Sequence, residues 1–158
     1  MPLHDLFRGQ DINIGRMMAH LKGIAKEESL PFGERTMTYN SRLAQELGKW
    51  AGTKGKGKEF HSGAFKAYFA DGKNIGKAST LVAVAISAGL SGEEAREVLK
   101  NRAFKDAVDQ DWARSRALGI TAVPTFLFRG RRMVGAQPYE ALAQFIRDSG
   151  VIKRSTAG

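Results

Sequence analysis

Apolar residues recur at three- and four-residue steps through most of the chain. In residues 11–28, Ile14, Met17, Met18, Leu21, Ile24 and Ala25 follow that step, which predicts an amphipathic helix. Asp11 or Asn13 can cap it. Gly15 and Gly23 each cost about 1 kcal/mol relative to alanine, so packing must support this helix. Leu30-Pro31-Phe32-Gly33 ends it. A second helix is predicted from Tyr39-Asn40-Ser41 onward, with Asn40 as its cap and Leu43, Ala44, Leu47, Trp50 and Ala51 as its stripe. A third, at about 58–70, is aromatic: Phe60, Phe65, Tyr68 and Phe69 fall at helical spacing, a pattern that marks core. A fourth, at about 78–88, is apolar nearly all round and should be buried. Ser91-Gly92-Glu93-Glu94 forms a capping box that opens a fifth helix, to about Lys100. The sixth, about 102–118, carries Phe104, Ala107, Val108, Trp112, Ser115 and Leu118, and Gly119 follows as its C′ residue.

After Gly119 the period changes. Thr125 to Phe128 reads as a buried strand with Pro124 at its entrance, where a missing N–H does no harm. The chain turns through Arg129-Gly130-Arg131 into a second strand, Arg132 to Val134. Pro138 lies in the first turn of a last helix, whose stripe is Tyr139, Leu142, Ala143, Phe145 and Ile146. Residues 151–158 carry no such pattern and are expected to fray. The run Gly52-Thr53-Lys54-Gly55-Lys56-Gly57-Lys58 has no strand before it and no Gly-Lys-Ser/Thr ending. It is expected to be a mobile surface loop rather than a phosphate cradle.

Composition narrows the chemistry. With 158 residues, 42% of them hydrophobic, the chain suits a single domain, 1–158, with a sizeable core. No apolar run is long enough to span a membrane. The opening Met1-Pro2-Leu3-His4-Asp5 has no basic stretch followed by an apolar one, which points to the cytoplasm. There is no cysteine, so these residues offer no thiolate nucleophile, disulfide or Cys-ligated zinc. His4, His20 and His61 have no metal-ligand spacing, and no metal site is expected. The net charge of +9 attracts acidic partners. The basic clusters at 54–58, 129–132 and 153–154 lack interleaved aromatics, which argues against a nucleic-acid partner.

A block of helices, a long helix, a proline-entered strand, a short partner strand and a closing helix is also a specific order of parts. The segments Pro31-Phe32-Gly33, Tyr39 to Ala51, Ala113 to Phe126 and Val134-Gly135-Ala136-Gln137-Pro138-Tyr139 resemble the DsbA-like thioredoxin family. Its FrnE-type and 2-hydroxychromene-2-carboxylate isomerase-like branch is the most similar. The resemblance runs from about Leu6 to Ile146. It implies an α/β, mostly helical fold: a thioredoxin-like remnant with a helical insertion, six or seven helices plus a β-hairpin. Residues 11–100 would be the insertion and 102–149 the C-terminal thioredoxin half. It also implies a cis Val123-Pro124 bond and a substrate-binding loop at Ala122, Val123 and Pro124. Members of that family open with a strand–helix–strand unit bearing Cys-x-x-Cys, or a serine in the glutathione-dependent isomerases. No counterpart stands before Leu6-Phe7-Arg8 here, so the chain reads as N-terminally truncated relative to the family.

The function expected is therefore that of a DsbA-family protein related to disulfide oxidoreductases but redox-inactive, with no catalytic residue of its own. It would bind a peptide or protein partner at the loop and self-associate as a homo-oligomer through its open sheet edge. One alternative is a glutathione-dependent isomerase or transferase, with glutathione as cofactor and Ser41, Thr121, Thr125 or Tyr39 as the hydroxyl. No Ser-His-Asp arrangement accompanies any of these, and each reads first as a cap or turn residue. Another alternative is a fragment of a full-length disulfide oxidoreductase.

Overall fold

The computed structural model describes residues 1–9 and 11–151. Eight α-helices and one two-stranded sheet lie among the described residues: α1 Leu3–Leu6, α2 Ile14–Glu27, α3 Arg42–Thr53, α4 Gly57–Phe65, α5 Ala78–Ser87, α6 Gly92–Asn101, α7 Lys105–Ala117, β1 Thr125–Phe128, β2 Arg131–Val134 and α8 Tyr139–Asp148. The chain forms two compact units that meet in sequence within α7, one Met1–Asp109 and the other from Gln110 onward. Apart from Val151, the 151–158 tail read as frayed lies outside the described residues.

The first unit is helical and holds the main core. Leu47, Trp50 and Ala51 of α3 pack with Phe60 of α4, Leu81 and Ala85 of α5, and Ala95 and Leu99 of α6. Leu47, Phe60 and Leu81 are essentially sealed from water, and each such side chain stabilises the fold by about 1.5–3 kcal/mol. The caps follow the sequence closely. Asn13 Oδ1 accepts from the Arg16 N–H at 2.9 Å, and Ser91 Oγ from the Glu94 N–H at 3.2 Å. At α3 the cap position is Ser41, yet it is Asn40 Oδ1 that accepts from the Arg42 N–H, at 2.8 Å.

Four local features of the first unit differ from the sequence reading. The first residues form α1 and pair with a later segment: Pro2 bridges Met37, and the Leu3 N–H donates to the Thr36 carbonyl at 2.9 Å. Such pairing is non-local and leaves no periodicity in four residues. The glycine-rich run 52–58 is the end of α3, a tight turn and the start of α4 rather than a long loop. Gly55, at φ +69°, is the left-handed C′ residue of α3, and the Lys56 N–H closes on the Ala51 carbonyl at 2.8 Å. The aromatic helix does not run evenly to Ala70; Lys66–Ala70 is a π-helical turn. Finally, α6 ends at a left-handed Arg102, φ +52°, so α7 starts at Lys105 rather than at about 102.

The second unit holds the end of α7, the hairpin and α8. β1 and β2 are antiparallel, in register Thr125–Val134 to Phe128–Arg131. Only Arg129 and Gly130 form the turn, both at positive φ, as a type I′ hairpin requires. That is why β2 begins at Arg131, one residue earlier than the composition suggests. The Arg129 guanidinium holds its unusual backbone by donating to the Ser149 carbonyl at 2.9 Å. β1 is not the buried strand its composition predicts: Phe126 is 38% and Leu127 41% exposed. Among the described residues of this unit the sheet has two strands, too few to bury both faces.

Candidate functional site

The loop between α7 and β1 is built by its two ends. At the helix end Gly119, φ +64°, reverses the chain: its N–H donates to the Arg116 carbonyl at 2.8 Å, and the Ile120 N–H to the Ser115 carbonyl at 2.9 Å. These two bonds satisfy carbonyls that a helix end otherwise leaves orphaned. The Arg132 side chain donates to the Gly119 carbonyl and ties the turn to β2. At the strand end the Pro124 carbonyl accepts from the Gly135 N–H at 2.8 Å. Between them Thr125 Oγ1 donates to the Ala122 carbonyl at 2.6 Å. The Val123–Pro124 peptide bond is cis.

Val123 is the exception in this tied loop. It is 88% exposed, and among the described residues neither its N–H nor its C=O makes a hydrogen bond. Its neighbours on both sides are anchored, so a free donor and a free acceptor are presented on a braced backbone. Beside it lies a shallow groove of about 340 Å³, lined by Trp112, Arg116, Ile120, Thr121, Ala122 and Val123 among others. Extended peptides are bound by such edges, main chain to main chain, with side chains seated in neighbouring depressions. Ala122, Val123 and Pro124 thus sit together and in the open.

The hydroxyl candidates are dispersed. The Thr125 hydroxyl is committed to Ala122. Ser41 accepts from Gln45 Nε2 at 3.0 Å, and Tyr39 packs edge-on against Tyr68 with ring centres 6.3 Å apart. Thr121 is exposed in the loop itself. Ser41 and His61 both line an apolar cavity of about 290 Å³, in the company of Phe60, Phe65 and Tyr68. No carboxylate lines that cavity to orient the imidazole, so it has no triad logic. Among the described residues no three His, Cys, Asp or Glu side chains gather where a metal ion could be held. No described helix is long and apolar enough to cross a membrane.

One charged cluster went unread in the sequence. The Glu46 carboxylate is 1% exposed and is held by two arginines: Arg42 donates through Nε at 2.8 Å, and Arg102 through Nε at 2.7 Å and a terminal nitrogen at 2.6 Å. Arg42 also donates to Asp109 at 2.6 Å, which Lys105 reaches at 3.1 Å. The Arg102 hydrogen bonds, then those of Arg42, hold the Glu46 carboxyl below its ordinary range against the opposing effect of burial. Asp109 is lowered likewise, first by Arg42 and then by Lys105. A carboxylate so enclosed is neither open to a substrate nor raised in proton affinity, so the cluster is a structural brace between α3 and the α6–α7 corner. The i,i+4 pair Arg42–Glu46 was visible in the sequence, but the approach of Arg102, 56 residues on, was not.

Comparison with known proteins identifies the family and the fold. The profile of the DSBA-like thioredoxin domain matches residues 2–147. The structure is similar to the crystal structure of the probable DsbA oxidoreductase SCO1869 from Streptomyces coelicolor, with a TM-score of 0.79 and 26% identity, covering 99% of this chain and 72% of that one. The uncharacterized protein YwbO of Bacillus subtilis is 31% identical over 94 residues, 59% of this chain. The chain spans about half the length of this curated relative, 47% of it.

Proposed function

The chain belongs to the DSBA-like thioredoxin domain family, and we propose on that premise that it serves disulfide chemistry from the substrate side: its 122–124 loop binds an extended peptide. The observation that carries this is the unpaired backbone of Val123, a residue 88% exposed, between two anchored neighbours. Thiol–disulfide exchange needs a thiolate in line with the bound disulfide. These 158 residues contain no cysteine, so the loop holds a peptide and does not itself exchange electrons with it. Any reacting thiols come from another polypeptide segment.

A peptide lying along Val123 would accept from its N–H and donate to its C=O. The test uses a fluorescein-labelled heptapeptide without charged residues, and the same peptide N-methylated at its central residue. Methylation removes the one donor that the Val123 carbonyl needs and leaves the side chains in place. Anisotropy titration is expected to show at least about tenfold weaker binding of the methylated peptide, the equivalent of one hydrogen bond of about 1.4 kcal/mol. Equal affinity for the two would mean that the loop's backbone does not bind peptide.

A second reading is favoured by the length of the relatives, of which the chain covers 72% and 47%. In it, the chain is the peptide-binding and helical part of a longer disulfide oxidoreductase. The coding sequence directly upstream of Met1 decides: an in-frame strand and Cys-x-x-Cys helix supports it, and an in-frame stop codon there removes it.

A further inference from the structure

We propose that the peptide groove beside Val123 selects an acidic side chain, through Arg116. This rests on the peptide-binding reading above and adds the class of substrate it takes. The second unit is rich in arginine: Arg114, Arg116, Arg129, Arg131, Arg132 and Arg147 stand against Asp111, Glu140 and Asp148. Most of these guanidinium groups are already engaged. Arg129 donates to the Ser149 carbonyl and Arg132 to that of Gly119; Arg147 donates to Gln144, and Arg131 lies over the Phe145 ring at 5.6 Å. Arg116 and Arg114, in the last turns of α7, have no side-chain hydrogen bond or ion pair among the described residues.

Of these two, Arg116 alone lines the groove. The reason is helical geometry. Trp112 and Arg116 are four residues apart and share a face, whereas Arg114 is offset by two and faces elsewhere. The groove therefore combines an apolar floor from Trp112, Ile120 and Val123 with one uncompensated cation at its side. A carboxylate carried on a peptide paired with Val123 meets that cation, and the bidentate guanidinium fork suits a carboxylate. Hydrophobic contact and charge then act on adjacent positions of one ligand.

The experiment compares two labelled heptapeptides that differ only in Glu or Gln at the residues flanking the centre, at about 50 mM salt where the pair is weakly screened. The Glu peptide is expected to bind about three- to fivefold more tightly, the range for a partly solvated pair. Arg116→Gln should abolish that preference while the Gln peptide binds as before. Arg114→Gln should leave the preference intact, because the charge lost is the same but lies off the groove. Equal affinity of the wild type for both peptides, or a Glu preference that survives Arg116→Gln or is lost in Arg114→Gln, overturns the inference and leaves peptide binding standing. Failure of both peptides to bind overturns both.

Discussion

Replacing Gly33 by alanine is expected to cost about 3 kcal/mol of stability, as overpacking against a rigid backbone does at its upper end. A Cβ at Gly33 would stand 2.1 Å from the Ala70 carbonyl oxygen and 3.1 Å from its carbon. Neither atom belongs to a side chain that could swing aside. The Gly33 N–H also donates to the Phe69 carbonyl at 2.9 Å, which clamps the segment after α2 onto the π-helical turn. That contact brings Phe32 against Phe69, ring centres 6.1 Å apart, and sets Arg35 over the Tyr68 ring at 4.3 Å. Pushing the segment away loses all of these together. Gly23 is the control. It lies in the interior of α2, where an added Cβ would meet no atom within 4 Å, so Gly23→Ala should stabilise by about 1 kcal/mol. Urea denaturation of both variants checks the pair, and a Gly33→Ala midpoint equal to wild type would contradict the packing described.

The second large effect is at Glu46. Glu46→Ala leaves Arg42 and Arg102 facing each other without their shared anion, and should cost about 2 kcal/mol. This is below the value for a fully buried pair, because the Arg102 side chain is 42% exposed and solvent compensates part of the loss. The pH dependence has a definite sign. The folded carboxyl titrates below its ordinary value of 4.5, chiefly because Arg102 donates to it. Its contribution is therefore fully present above about pH 4.5 and is lost as pH falls through the lower, folded value. Asp109 adds to the same trend from an ordinary value of 3.8. In Glu46→Gln the fall in stability on acidification below about pH 4.5 should be shallower than in wild type, as read from urea midpoints between about pH 3 and about pH 6. Parallel slopes would mean that the carboxylate is not held by the arginines.

What the sequence made legible was whatever depends on near neighbours. The helices α2, α3 and α5, the Ser91 cap and the Gly119 reversal are all set within four or five residues and stand where the periodicity places them. But the α2 stripe buries only Ala25 and leaves Leu21 and Ile24 40% and 43% exposed, and Ile86 of α5 is 54% exposed. The candidate loop was legible for a related reason, since helix, glycine, proline and strand follow one another directly. The long-range misses are of another kind. The bridge from Pro2 to Met37, the clamp of Gly33 on Phe69 and Ala70, and the capture of Glu46 by Arg102 each join segments more than thirty residues apart. Burial of β1 was misjudged for the converse reason. Thr-Phe-Leu-Phe has the composition of a core strand, but composition does not report how many strands lie beside it. The groove's cation was a matter of phase: only the turn geometry of α7 separates Arg116, beside the loop, from Arg114.

Amide hydrogen exchange resolved by NMR, with and without a saturating uncharged heptapeptide, tests most directly whether the backbone of Val123 is the docking point for an extended peptide. The Val123 amide, unprotected in the free protein, is expected to become protected at least about tenfold on binding, consistent with one new hydrogen bond. Shift changes should centre on residues 120–125. Binding that leaves the Val123 amide exchanging as fast as before, with its shift changes elsewhere, would contradict this docking point.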